Sequence, residues 1–467
     1  MVLFWILALV VLLYIRTLGY NYVIDDSVKR SGYMYEVPLT SPPATFFQTK
    51  PSPWYRLFMI GMHCVNVSVI YLLWGWCPAL LFAVHPLSVW GVAWVTGNYY
   101  ATATYFTLIA YFALHTFPNL LGALIAIPLY MSALYSTVCP ITFPFMFLFV
   151  GQPWGLAMFL PLIVFLNSKK FKTGIQIRYS INNDKVVRDK SVEVNYFRRL
   201  SLMTRVVARY IYPCLFPDKL GFFDNYGRNL KQDPKVWNAF HRFDFTFWVC
   251  FALCLVVFIG GLLINPFGIF WFFTFAALHS QFNITGQFYA QRYLYLALVG
   301  MCIVVGTLLQ PYPLVVASVV TFLVIRTHFF IPVWKNQERI WMNDVEMFPY
   351  CAQAWNNAAQ YYLQVDLGPQ QHFELNKMGY YLFKAESLEP NSWEIQMNMA
   401  CFFVRMGKID EALVRTKRAL ALLEPLGGIS FPSEQLRKQV GVLECWIKTG
   451  KIGVLSEQEP VQQTLPV

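Results

Sequence analysis

The run M-V-L-F-W-I-L-A-L-V-V-L-L-Y-I-R at residues 1–16 leads into N-Y-V-I-D-D-S-V-K-R at residues 21–30, and the two together set the class of this chain. The first run carries no charge before Arg16. It has neither a basic leader nor a small-residue cleavage site, so it reads as an uncleaved signal anchor. The second run places two adjacent carboxylates, Asp25 and Asp26, at the mouth of the first loop. Ionisable groups at a bilayer boundary are costly and are functional candidates by default. Asp-Asp-Ser is also good helix-capping chemistry. The pair by itself leaves both a reactive site and a solvated turn open.

Composition agrees with a membrane reading. The chain has 467 residues, of which 57% are hydrophobic and 13% charged. An ordinary soluble protein carries about a quarter charged residues. The chain is therefore expected to be a polytopic membrane protein with some soluble parts. Its formal net charge is +11. Nucleic acid is not an expected partner for so apolar a chain; anionic lipid, or phosphate on a lipid-linked substrate, fits better. Cys64, Cys77, Cys139, Cys250, Cys254 and Cys302 fall in apolar segments, where cysteine behaves as a small hydrophobe. The spacing of the ten cysteines suggests neither a zinc site nor a disulfide framework.

After the first span comes a polar first loop, 17–53, ending in the proline- and aromatic-rich P-L-T-S-P-P-A-T-F-F. Apolar blocks follow at 54–74, 77–94, 99–114, 120–135, 141–150 and 154–166, and again at 245–264, 267–279, 294–309 and 314–331. That makes about eleven spans at the usual length requirement. Between them lies a long loop, 167–244, in which basic residues outnumber acidic ones more than two to one. Within it, F-R-R-L-S-L-M-T-R-V-V-A-R-Y-I-Y has basic and apolar residues at helical spacing. It reads as an amphipathic helix on a membrane surface, or as a solvated basic helix. An odd span count puts the first loop, the basic loop and the C-terminal region on one side.

The C-terminal region, 333–455, is a different domain. Ala400, Phe403, Gly407, Ala412, Ala419 and Pro425 fall at the spacing of a tetratricopeptide repeat, and Pro390 precedes Pro425 by about that repeat's period of roughly 34 residues. A preceding unit with Trp355, Ala359 and Ala385 fits more loosely. Small residues at such positions let helical hairpins pack closely and stack. The tail 456–467 reads as disordered.

Three further stretches join the acidic pair. They are L-F-A-V-H-P-L-S-V-W-G-V-A-W-V-T-G-N with His85, G-Q-F-Y-A-Q-R-Y-L-Y-L-A-L-V-G with Arg292 and Tyr295, and V-I-R-T-H-F-F-I-P-V-W-K-N-Q-E-R-I-W with Arg326, Lys335, Arg339 and Trp341. Each has a structural explanation when taken singly: a packing histidine, a snorkelling arginine, a basic anchor at a helix end. Together they describe a membrane-boundary site with carboxylates on one loop and cations on others. A carboxylate can deprotonate an acceptor hydroxyl, and arginine can stabilise charge on a departing phosphate.

In this order of parts the chain resembles the transmembrane and tetratricopeptide-repeat O-mannosyltransferases and their bacterial relatives, membrane glycosyltransferases of the GT-C fold. The resemblance rests on Asp25 and Asp26, on Phe82 to Pro86 with Val92 to Trp94, on Tyr210 to Leu220, on Arg292 with Leu294, Tyr295 and Leu296, and on Arg326, Arg339 and Trp341. It implies an all-α, GT-C-like bundle in a bacterial inner membrane or an endoplasmic-reticulum-like membrane, with the repeats on the non-cytoplasmic side. It also implies a polyprenyl-phosphate sugar as donor and a protein or glycan hydroxyl as acceptor. Asp25 and Asp26 would be catalytic, and His85, Arg292, Tyr295 and Arg326 would bind substrate. No cofactor is firmly expected. Adjacent aspartates can hold a divalent cation, but no third ligand is evident.

Three positions depart from the family. Trp90 stands where a glutamate is expected, Asn98 where an arginine is, and Gln291 where an acidic residue precedes Arg292. Either donor or acceptor differs, or the chain is a catalytically degenerate scaffold whose repeats dock a partner protein. A polymerase or ligase moving whole oligosaccharides is a weaker alternative. The implied orientation puts the basic loop outside, against the positive-inside rule, from which long loops are partly exempt.

Overall fold

The computed structural model describes residues 1–21, 23, 53–150, 152–169, 171–172, 196–222, 242–282, 289–364, 371–423 and 430–449. Asp25 and Asp26, most of both long loops and the tail 456–467 lie outside them. Every regular element among the described residues is helical. The chain divides into two compact units; among the described residues the first ends at Ile340 and the second begins at Trp341.

The first unit runs through α1 (Val2–Tyr14), α2 (Pro53–Trp74), α3 (Trp76–Val84), α4 (Val89–Val92), α5 (Asn98–Thr116), α6 (Leu120–Ser136), α7 (Phe143–Val150) and α8 (Phe159–Asn167). After the basic loop come α9 (Tyr196–Leu215), α10 (Phe245–Ile264), α11 (Pro266–Ala277), α12 (Leu294–Leu309) and α13 (Pro313–Phe330). Five described segments are long and apolar enough to cross a membrane: Val2–Gly19, Pro53–Trp74, Phe245–Ile264, Gln291–Leu309 and Pro313–Lys335. Shorter apolar helices accompany them at Leu120–Ser136, Cys139–Leu148, Pro153–Asn167 and Pro266–Ser280. This is the make-up of a polytopic membrane protein.

The central pole of this unit is α12, buried from Leu294 through Val304. Between apolar helices in lipid the hydrophobic drive is absent, so close packing must supply the attraction. Glycines allow it here. A Cβ on Gly300 would lie 2.4 Å from the carbonyl oxygen of Gly268 and 2.5 Å from the amide of Phe272, so α11 and α12 touch backbone to backbone. A Cβ on Gly306 would meet Pro78 of α3 at 2.7 Å. Trp271 of α11 donates its indole N–H to the Leu296 carbonyl at 2.8 Å.

The apolar block 77–94, read from sequence as one span, is broken. Helix α3 stops before His85, a 3-10 turn runs over Pro86–Ser88, and α4 follows. Proline removes an amide and cannot continue the hydrogen-bond ladder. The last-turn carbonyls of α3 find side chains instead, as buried carbonyls must. Ser88 reaches Phe82 at 2.8 Å, His63 of α2 reaches Ala83 at 3.2 Å, and Thr327 of α13 reaches Val84 at 2.6 Å. The break is thus held by two other helices.

The amphipathic stretch forms α9. Its apolar residues Leu202, Val206, Tyr210, Ile211 and Cys214 are buried, and the helix packs on α10, α11 and the turn after α11. That face is therefore covered by protein. Leu200, Tyr212, Leu215 and Phe216 remain exposed on the other side. Arg205 is buried and pairs with Asp244 at 2.6 Å, while Asp244 also caps α10 by accepting from the amide of Phe247 at 3.0 Å.

In the second unit, α14 (Gln337–Met347) leads from Ile340 onward into α15 (Ala352–Gln364), α16 (Gln371–Leu388), α17 (Trp393–Arg405), α18 (Ile409–Leu423) and α19 (Ser430–Thr449). Helix α15 packs on α16, α17 on α18, and α19 on α18. Between α17 and α18, Gly407 has φ +72°. Its amide bonds the Val404 carbonyl and that of Lys408 bonds Phe403, the paired bonds of a left-handed helix stop. The small residues read from sequence lie at the contacts: Ala359, Ala385, Ala400, Ala412 and Ala419 are fully buried. Trp355, Met378, Leu382, Ile395, Met399 and Phe402 pack with Ala359 and Ala385, and Trp393, Met397, Leu423 and Leu436 pack with Ala419.

Candidate functional site

Two gatherings of polar residues in the first unit hold its candidate cations. The first is the strap that follows α9, residues 214–222. His85 reaches its start. The Nδ1 of His85 accepts from the Leu87 amide at 3.1 Å, and its Nε2 lies 3.2 Å from the Cys214 carbonyl oxygen. An acceptor at Nδ1 and a carbonyl beside Nε2 assign the proton to Nε2. Arg326 of α13 donates Nε to the Pro217 carbonyl at 3.2 Å and a terminal N–H to that of Asp218. Gln291 donates to Lys219 O at 2.7 Å and accepts from the Gly221 amide at 3.3 Å. The amide at this position uses both its donor and its acceptor, which a carboxylate could not do.

Arg292, one residue on, is buried between rings. Its guanidinium lies 4.9 Å from the Phe222 centroid and 5.1 Å from that of Tyr293, and it donates to the Tyr100 hydroxyl. Such stacking is worth about 2 kcal/mol or more when desolvated. Trp90, in place of the expected glutamate, is fully buried. It packs edge-on to Trp334 at 4.7 Å and against Trp94, Phe222 and Phe330. Among the described residues, the buried indole N–H groups of Trp90, Trp94 and Trp334 meet no hydrogen-bond partner. Asn98 accepts from Thr102 at 3.3 Å.

Tyr295 sits deeper. Its hydroxyl lies 2.7 Å from His63 Nδ1 and 3.4 Å from Asn66 Nδ2, and its ring presses on Gly91, where a Cβ would meet it at 2.6 Å. His85, Arg292 and Arg326 thus meet one strap, whereas Tyr295 belongs to a separate polar cluster within the bundle.

The second place is the foot of the first loop. Arg56 is fully buried. It donates to the carbonyls of Ala93, Tyr20 and Asn21, the last at 3.0 Å. The Asn21 amide bonds Lys335 O at 3.1 Å, and Arg16 donates to His328 O. Around Tyr20 three cations act together. Burial raises the Tyr20 phenol above its ordinary value, and the fields of Arg16, Arg339 and Arg56 oppose that rise. Asp25 and Asp26 follow in sequence within six residues of this point, though outside the described residues.

Arg16 and Arg56 were not singled out from sequence. The signal was present: Arg56, His63 and Asn66 recur on one face of α2 with buried Met59, Ile60, Val67 and Ile70, and ionisable residues inside a span face protein. Among the described residues no group of three or more histidine, cysteine or carboxylate side chains could hold a metal ion.

The second unit has its own groove of about 440 Å³, lined by Phe403, Asp410, Glu411, Val414, Arg415 and Arg418. Arg415 and Arg418 both pair with Glu386, and Gln396 donates to that carboxylate at 2.9 Å.

No family model, no curated protein and no solved structure matches this chain.

Proposed function

We propose that the chain is a membrane glycosyltransferase of GT-C-like architecture, which moves a sugar from a polyprenyl-phosphate donor to a protein or glycan hydroxyl on the non-cytoplasmic face. In this reading the shorter apolar helices count among about eleven spans. The hairpins of the second unit are tetratricopeptide-like repeats that hold the acceptor. Asp25 or Asp26 takes the acceptor's proton, the hydroxyl attacks the anomeric carbon, and the lipid phosphate leaves beside a guanidinium.

The observation that carries the reading is the gathering of Arg16, Arg56 and Arg339 around Tyr20, just ahead of the acidic pair. Arg56 is buried, Arg16 half-buried and Arg339 exposed, and cations at a span's end suit an anionic headgroup. The buried indole donors of Trp90 and Trp94 beside Phe222, and that of Trp334 packed on both, add groups that a phosphate or sugar oxygen would satisfy. The test is transfer of labelled sugar from a polyprenyl-phosphate donor in proteoliposomes. Wild-type protein should transfer, and the double variant Asp25→Asn, Asp26→Asn should lose at least about a hundredfold, the usual contribution of an acid–base group. Undiminished transfer by the double variant would sink the proposal.

A second reading, a catalytically degenerate scaffold whose repeats dock a partner, is favoured by Trp90 and Gln291. One fills an acid's place with a packed ring, and the other clasps the strap. It expects no transfer from any donor and a partner protein that co-purifies through the second unit.

A further inference from the structure

Cys139 is one of the cysteines that the sequence assigns to apolar packing, yet its sulfur has polar company. His279 Nε2 lies 3.1 Å from Cys139 Sγ, and Thr137 Oγ1 lies 3.4 Å from the same atom. Both residues of the pair are buried, Cys139 at 3% and His279 at 7% exposure. His279 belongs to a π-helical turn, Leu278–Phe282, that ends α11. Such turns are rare and recur at functional sites.

Both the ring and the main chain of His279 are held. The Tyr293 ring stacks on the imidazole at 4.3 Å and 8°, and Tyr210 of α9 donates to the His279 carbonyl at 3.2 Å. A fixed ring nitrogen against a thiol is the arrangement that activates a cysteine. The titratable and charged groups facing the pair from neighbouring elements are Tyr100 of α5, Tyr210 of α9, and Tyr293 and Arg292 from the turn before α12. The contacts run in series from Arg292 over Tyr293, from Tyr293 onto His279, and from His279 to Cys139.

We propose that Cys139 and His279 are a nucleophile–base pair for a carbon electrophile with an anionic leaving group. Sγ bonds to the carbon as the bond to the leaving group breaks. The leaving group departs with the bonding pair, and the thiol proton passes to His279 Nε2. If the chain transfers sugar, the anomeric carbon of the lipid-phosphate donor belongs to this class. The pair itself does not depend on that reading.

Iodoacetamide, a carbon electrophile that releases iodide, is the probe. The full-length protein in detergent is alkylated at pH 6 and pH 8, and peptide mass spectrometry follows Cys139, with exposed Cys445 as a check on the reagent. An unperturbed thiol gains about 80-fold in rate over that interval. Cys139 should gain less than about fivefold, because the histidine already supports its thiolate at pH 6. In His279→Gln the steep profile should return and the rate at pH 6 should fall at least about tenfold. The wild-type profile decides the matter even if the variant fails to fold. A steep profile for wild-type Cys139, or no alkylation while Cys445 reacts, overturns the proposal. No sugar donor is present, so a chain that transfers no sugar can still pass.

Discussion

The hydroxyl of Thr327 closes a hydrogen bond that the stop before Pro86 leaves open in another helix. A buried carbonyl without a partner costs about 1–3 kcal/mol, and Val84 has no water nearby to turn to if the bundle lies in lipid. Thr327→Val keeps the shape and removes the donor. We expect it to lower the thermal midpoint of the purified protein by several degrees, read by the loss of tryptophan emission, whereas Thr327→Ser should retain most of the stability. Equal midpoints for both variants would contradict this account of the helix stop. At this scale the sequence was a partial guide. His85, Arg292 and Arg326 could be chosen because polar residues are rare in apolar stretches. Their partners could not, because His85 and Arg326 meet main-chain carbonyls of a strap more than 100 residues away, and Arg292 meets a ring of the same strap, Phe222, 70 positions back. Cys139 was read as a hydrophobe because His279 lies 140 positions on, and no local spacing links them.

Among elements, most apolar blocks became helices close to where periodicity put them; 245–264 and Phe245–Ile264 coincide. The block 77–94 did not. A proline within an apolar run is tolerated when other helices cover the freed carbonyls, but here the chain stops and restarts instead. In the C-terminal unit the small residues were legible, since alanines at contact positions and Gly407 at the turn follow helical spacing. The carboxylate that ties α16 to α17 and α18 was not. Burial pushes the Glu386 carboxyl upward, but hydrogen bonds from Gln396 and Arg415 and the charges of Arg415 and Arg418 outweigh it, so the group sits below the ordinary glutamate range. A depressed carboxylate stabilises the fold above its unfolded-state value and loses that contribution as pH falls through the folded one. Glu386→Gln should therefore lower the midpoint of the C-terminal unit's transition at pH 7 by a few degrees, with the gap closing under acid. The pair is partly exposed, so the effect is under about 1 kcal/mol. A gap that widens on acidification would show that the ion pairs act in the other direction.

For the molecule as a whole, composition alone implied a helical membrane protein, and the five long apolar helices agree with it. What the order of motifs suggested about chemistry reaches further than the fold does. The cations lie around Tyr20 and beside the strap, while the carboxylates proposed to work with them follow in the first loop. The direct measurement is a high-resolution map of the purified protein incubated with a polyprenyl-phosphate sugar. The account predicts phosphate density against Arg56, Arg339 or Arg292, with Asp25 or Asp26 facing the sugar. A map in which those arginines meet only their own chain's carbonyls and rings, Trp90 and Phe222 close the space, and no lipid phosphate is bound would contradict it.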